Sequence, residues 1–229
     1  MTLRKGLLAF VIVIVITTLA MPLRANTVNN HDMTILFRNV VFFTDEGPGW
    51  TGKPLFRWQG PVVGIMKGGA EYRQQVDKLF AEFSKLTRLS FRLTDVQKKA
   101  NLKIYFLSKA EIRERFNAPE LNCLGRFGGT DTKGYITHAE VYISTDTRAK
   151  ANHCLVEELI QILGLTGDIN MFEKSIFHDK STQTSLTMID KIMLKSLYHP
   201  RLKNGMTLLQ AMPIVRKVIL DIMKNLNKR

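Results

Sequence analysis

His153–Asp168 reads HCLVEELIQILGLTGD. On a helical wheel with Cys154 at zero, at about 100° per residue, Leu155, Leu159, Ile162 and Leu163 fall on one side. Glu158 stands at the margin of that side. Glu157 and Gln161 lie just beyond it, one turn apart. Two carboxylates and an amide therefore run along one edge of a half-buried helix. Gly164 supplies a helix end where the chain can turn sharply. Asp146 or Thr147 is placed to cap the start.

The spacing is that of the zinc-peptidase rule H-E-x-x-H, in which two ligands one turn apart face the metal and the glutamate polarises a water. Glu157 stands at the first ligand position, Glu158 at the catalytic glutamate and Gln161 at the second ligand. In the longer form H-E-x-x-H-x-x-G-x-x-H, Gly164 matches the glycine and Gly167 stands at the third histidine. The stretch thus resembles the metzincins with all three histidines replaced. Downstream, SIFHD (Ser175–Asp179) occupies the place of their methionine turn S-I-M-x-Y. Phe177 replaces the methionine, and His178 and Asp179 complete the turn. The helix read in SLTMIDKIMLKSLY is similar to their closing helix. A closer resemblance is to a family of exported bacterial proteins, of no established activity, that is related to the metzincins. Its pattern appears here as EELIQILGL, SIFHD, LTMID and LYHPRLKNGM, in order over residues 157–206.

The resemblance implies a metzincin-like (zincin-like) single domain from about Pro54 onward. It implies an α+β fold: a mixed sheet, an active-site-type helix and C-terminal helices. It also implies a groove between an edge strand and the helix, with HAEVYIS, His138–Ser144, as that edge.

The periodicity of the rest agrees with one α+β domain over 53–229. Residues 26–52 read as an extended leading segment with one strand in MTILFRNVVFFT. LFRWQGPVVGIM reads as a bent strand or strand pair, and AEYRQQVDKLFAEFSKLT as an amphipathic helix. LSFRLTD, NLKIYFLS and GYITHAEVYIST read as strands, the last with Ala139, Val141 and Ile143 on one face. KAEIRERF reads as a short helix, and Cys123 falls in a loop. Helices are predicted in SLTMIDKIMLKSLY and MTLLQAMPIVRKVILDIMKNL.

Residues 1–25 have the form of a secretory signal peptide: Arg4 and Lys5, then the apolar run Leu7–Ala20, with small residues at Ala20 and Ala25. An uncleaved anchor is the alternative, although the run is shorter than the roughly 20 residues of a spanning helix. Export places the chain in the periplasm or outside the cell. In that compartment an even cysteine count predicts one disulfide, Cys123–Cys154. The net charge is +13, and about +10 remains without the three basic residues of 1–25. For an exported protein an anionic envelope surface, a cell-wall polymer or an acidic protein is a more natural partner than nucleic acid, but the basic residues are scattered, and a solvated basic surface is the preferred reading.

Three functional readings follow. The first is a non-catalytic binding or structural protein that holds a protein or extended peptide along an edge strand, with no cofactor. The second is an atypical metallopeptidase. Glutamate can bind zinc, but a glutamine amide is a poor donor and Gly167 offers none. A displaced zinc site would need His153, Glu157 and His178. The third is a carboxylate-dependent hydrolase using Glu157 and Glu158, against which stands their divergence by about 100°. The first reading is preferred, with Glu158 as the residue to carry any catalysis. The sequence has no G-x-S-x-G, P-loop, dinucleotide fingerprint or C-x-x-C.

Overall fold

The computed structural model describes residues 29–43, 53–130 and 133–226. The apolar N-terminal run and its candidate cleavage sites lie outside them. Among the described residues, no helix is long and apolar enough to cross a membrane.

The first element corrects the sequence reading. Residues Asn30–Phe42 form helix α1, where an extended segment with a strand was expected. Met33, Leu36, Phe37, Val40 and Val41 fall at i, i+3, i+4, i+7 and i+8, a helical stripe, and each is at most 1% exposed. The phenylalanines and valines of this run favour a strand by composition, but burial of the stripe decides against it. Asn29 caps the helix by accepting the Asp32 N–H at 2.9 Å. α1 packs against the C-terminal helices, so residues 30–42 belong to the core of the same domain.

One five-stranded sheet has the order β2-β1-β3-β5-β4. β1 (Val62–Lys67), β2 (Phe91–Leu93), β3 (Leu102–Leu107) and β5 (Ile136–Ser144) are parallel. β4 (Cys123–Thr130) runs antiparallel to β5 at the edge. Two expectations change here. Cys123 opens a strand, not a loop. The strand His138–Ser144 is no edge, because β5 is paired on both sides; the edge beside it is β4. The glycines of CLGRFGGT hide the alternation that would have revealed this strand.

The helices α2 (Arg73–Thr87), α3 (Lys109–Phe116), α4 (Arg148–Gln161), α5 (Met188–Leu197) and α6 (Leu208–Leu226) complete the fold. α2 starts after a 3-10 turn at Ala70–Tyr72. α4 carries the decisive stretch and is capped by Thr147. The described chain is therefore mixed α+β, with a mixed sheet and six helices. Ala139, Val141 and Ile143 point into the core as expected. Tyr142 on the opposite face is also buried, because Tyr105 stacks on it at 4.8 Å and Phe116 of α3 meets it edge-on.

Candidate functional site

β4 packs against α4, and where the chain enters β4 its leading segment and α4 form the two walls of a cleft. A cavity of about 230 Å³ opens there, lined by Glu120, Leu121, Asn122, Cys123, Lys150, Cys154, Glu157 and Glu158. The expected disulfide, Cys123–Cys154, joins the two walls, with a Cα–Cα distance of 6.0 Å. The close approach depends on Gly125. A Cβ there would sit 2.9 Å from the Glu158 carbonyl oxygen and 3.1 Å from its Oε2.

Glu158 is only 6% exposed. Burial pushes its carboxyl well above the usual carboxylate range, the neighbouring Glu157 and Asp168 add to this, and the Gly125 N–H and Lys150 oppose it. The group at the catalytic-glutamate position is thus a buried carboxyl at the cleft, whose burial favours the protonated form. Glu157 points elsewhere. Its Oε2 lies 3.1 Å from His153 Nε2. The other ring nitrogen, Nδ1, donates to the Gln183 carbonyl at 2.8 Å. Both nitrogens of His153 therefore face acceptors, which favours the doubly protonated ring. The bond to Glu157 raises its pKa, against the opposing effect of burial.

The remaining ligand positions are engaged as well. Gln161 Nε2 donates to Asp168 Oδ1 at 3.2 Å. Gly167 is buried against the C-terminal end of α1, and its N–H donates to the Val40 carbonyl at 3.1 Å. A Cβ at Gly167 would lie 2.6 Å from the Asn39 oxygen and 2.8 Å from that of Phe43. A histidine at this position has no room, because α1 fills the space.

The turn beneath the helix is built for stability. Ser175 Oγ donates to Asp190 Oδ1 at 2.6 Å, and the Ile176 N–H donates to the same oxygen at 3.1 Å. Asp190 Oδ2 accepts from the Thr187 N–H at 2.7 Å and from its hydroxyl at 2.8 Å, closing the capping box of α5. One fully buried carboxylate thus ties SIFHD to LTMID. Phe177 packs in the core at 1% exposure. His178 Nδ1 accepts the Lys180 N–H at 3.1 Å, within the turn, and Asp179 is exposed. His178 does not join His153 and Glu157. Among the described residues, no group of three His, Cys, Asp or Glu side chains is placed to hold a metal ion. With a paired Glu157, a neutral amide at Gln161 and no side chain at Gly167, the ligand positions do not fit zinc.

Sequence reasoning missed Arg57 and its partners. The Arg57 guanidinium donates to Asn204 Oδ1 at 2.9 Å and to the carbonyls of Leu197 and Leu202 at 2.5 and 2.7 Å. It binds the carbonyls released at the end of α5. Trp58 Nε1 donates to the Ile162 carbonyl at 2.8 Å, and the Tyr198 hydroxyl donates to that of Leu163 at 3.0 Å. These contacts account for much of LYHPRLKNGM, and no local pattern around Arg57 announces them. A larger cavity, of about 320 Å³, lies between the end of α1 and the loop Gly167–Met171, away from Glu157 and Glu158.

The four motifs therefore meet around one helix, mostly through buried hydrogen bonds. No curated protein matches the chain. Residues 30–217, most of its length, match the family described as "Protein of unknown function (DUF2927)", and the chain belongs to that family.

Proposed function

We propose that this chain is an exported, metzincin-like scaffold that binds an extended polypeptide segment in the groove between β4 and α4, without zinc-dependent proteolysis. The observation that carries this reading is the fate of the ligand positions. Glu157 is bonded to His153, Gln161 to Asp168, and the space beside Gly167 is filled by α1. The binding half of the proposal rests on β4. It is an edge strand whose outer side can take an added strand, with α4 as the facing wall. The apolar run Leu7–Ala20 supports export to the periplasm or cell exterior, with a retained anchor as the variant of that reading. The basic excess suits an anionic envelope surface as the setting.

The first test is metal content. The protein is purified from an oxidising compartment without chelator or His-tag, and bound metals are measured per chain. The expected result is no bound zinc and no thermal shift on adding zinc. About one zinc per chain, lost in Glu157→Ala, would overturn the proposal in favour of an atypical metallopeptidase. A carboxylate-dependent hydrolase is the second reading, favoured by the raised pKa of the buried Glu158 at the cleft. The bond between Glu157 and His153 weighs against it, since the partner carboxylate is turned away.

A further inference from the structure

We propose that the Cys123–Cys154 bridge is a thiol-exchange site, reached through the cleft, with Glu158 as the proton donor to the departing Cys154 sulfur. Both cysteines line the 230 Å³ cavity, together with Glu158. Cys123 is half-buried on the edge strand, whereas Cys154 is 1% exposed within α4. The sulfur within reach of an incoming thiolate is therefore that of Cys123. The other must leave into a buried setting.

Burial disfavours a thiolate, so the Cys154 sulfur needs a proton as it departs. Glu158 is one turn further along α4, at i+4, where side chains are neighbours. It lines the same cavity, and burial raises its pKa well above the usual carboxylate range. The groups facing it are Glu157 and Lys150 on α4, Asp168 in the loop after α4, and the Gly125 N–H on β4. Glu120, ahead of β4, completes the acidic rim, and His153 pairs with Glu157.

The co-reactant is a dithiol. Its thiolate attacks Cys123 Sγ and forms a mixed disulfide. The Cys123–Cys154 bond breaks with its electron pair on Cys154 Sγ, which takes the Glu158 proton. The second thiol passes a proton to Glu158, and its thiolate attacks the dithiol's own sulfur in the mixed disulfide; Cys123 leaves with the electron pair and takes from water the proton that the first thiol gave up on ionising. One dithiol is oxidised to its disulfide and one protein disulfide becomes two thiols. Two protons pass from dithiol to protein, one by way of Glu158. The start of β4 is then free of α4. This exchange does not depend on what the groove binds.

The test uses the full-length oxidised protein and dithiothreitol under native conditions. Free thiols are trapped by alkylation and counted by mass, and the global unfolding rate is measured separately by circular dichroism. Reduction should outpace global unfolding by about tenfold or more. Glu158→Gln should slow reduction about tenfold or more, beyond any slowing of global unfolding measured in the same variant. In the wild type the rate should also stop rising with pH before the dithiol itself is ionised, as Glu158 loses its proton. That profile decides the matter if Glu158→Gln fails to fold. Reduction no faster than unfolding, an unchanged rate in a folded Glu158→Gln, or a pH profile set by the dithiol alone overturns the proposal.

Discussion

At the residue scale, Glu158 and Gly167 show how two positions of one motif are each closed to a metal by their packing. Glu158 is buried, and burial raises its pKa well above the usual carboxylate range. A carboxyl whose folded pKa is raised binds more protons folded than unfolded. Its contribution is full below the unfolded value of about 4.3 and declines as pH rises toward the folded one. Glutamine copies the neutral acid without this liability. Glu158→Gln is therefore expected to gain stability relative to the wild type between pH 5 and pH 8, by about 1 kcal/mol or more. Denaturant melts of both proteins at several pH values measure it, and a gap that does not grow with pH counts against a neutral Glu158. Gly167→His puts back the third zinc-peptidase histidine. A Cβ 2.6 Å from a backbone oxygen must displace α1, so a loss of about 2–3 kcal/mol and no new zinc binding are expected. A stable variant that takes up zinc in a calorimetric titration would contradict the packing described.

At the scale of elements, the hydrogen bonds of Asp190 hold a turn to a helix. One buried carboxylate serves Ser175, Ile176 and both donors of Thr187. Asp190→Ala leaves the buried donors of Ser175 and Ile176 and the half-buried ones of Thr187 unpaired, at a cost of about 3–5 kcal/mol. Asp190→Asn, whose amide keeps one oxygen, should lose less. Equilibrium unfolding in urea orders the two, and equal losses would show that the network carries little energy. His178 and Asp179, in the same turn, serve it locally and do not reach the cleft. β4 is the second lesson at this scale. It provides the outer wall of the groove, and its backbone pairs with β5 despite a glycine-rich sequence.

At the scale of the molecule, α1 joins the N-terminal part to the last helix. Met33, Leu36, Phe37 and Val40 are each 0% exposed in the shared core. A fragment starting at Lys53 leaves their partners on α5 and α6 bare. It is expected to lack a cooperative thermal transition and to bind a hydrophobic dye, while a fragment starting near Thr27 should melt cooperatively. A cooperative melt of the shorter fragment would mean that α1 is dispensable. The same helix fills the space beside Gly167, so closure of the fold also leaves no room for a side chain there.

The sequence by itself determined the periodic parts. The wheel of Cys154–Leu163 placed α4 and its polar edge, alternation placed β3 and β5, and an even cysteine count, read with the expectation of export, pointed to the disulfide. These signals are local, or depend on composition, and a linear pattern carries them. Tertiary structure alone decided which polar groups are free to act. Nothing in EELIQ says that Glu157 turns to His153, that Gln161 meets Asp168, or that Glu158 sits beneath a glycine of β4. It also decided that the phenylalanine- and valine-rich run near the N-terminus coils into α1 and that β4, not β5, forms the edge. The physical reason is the same throughout: protonation, exposure and free space at a side chain depend on residues distant in sequence that only the packed core brings against it.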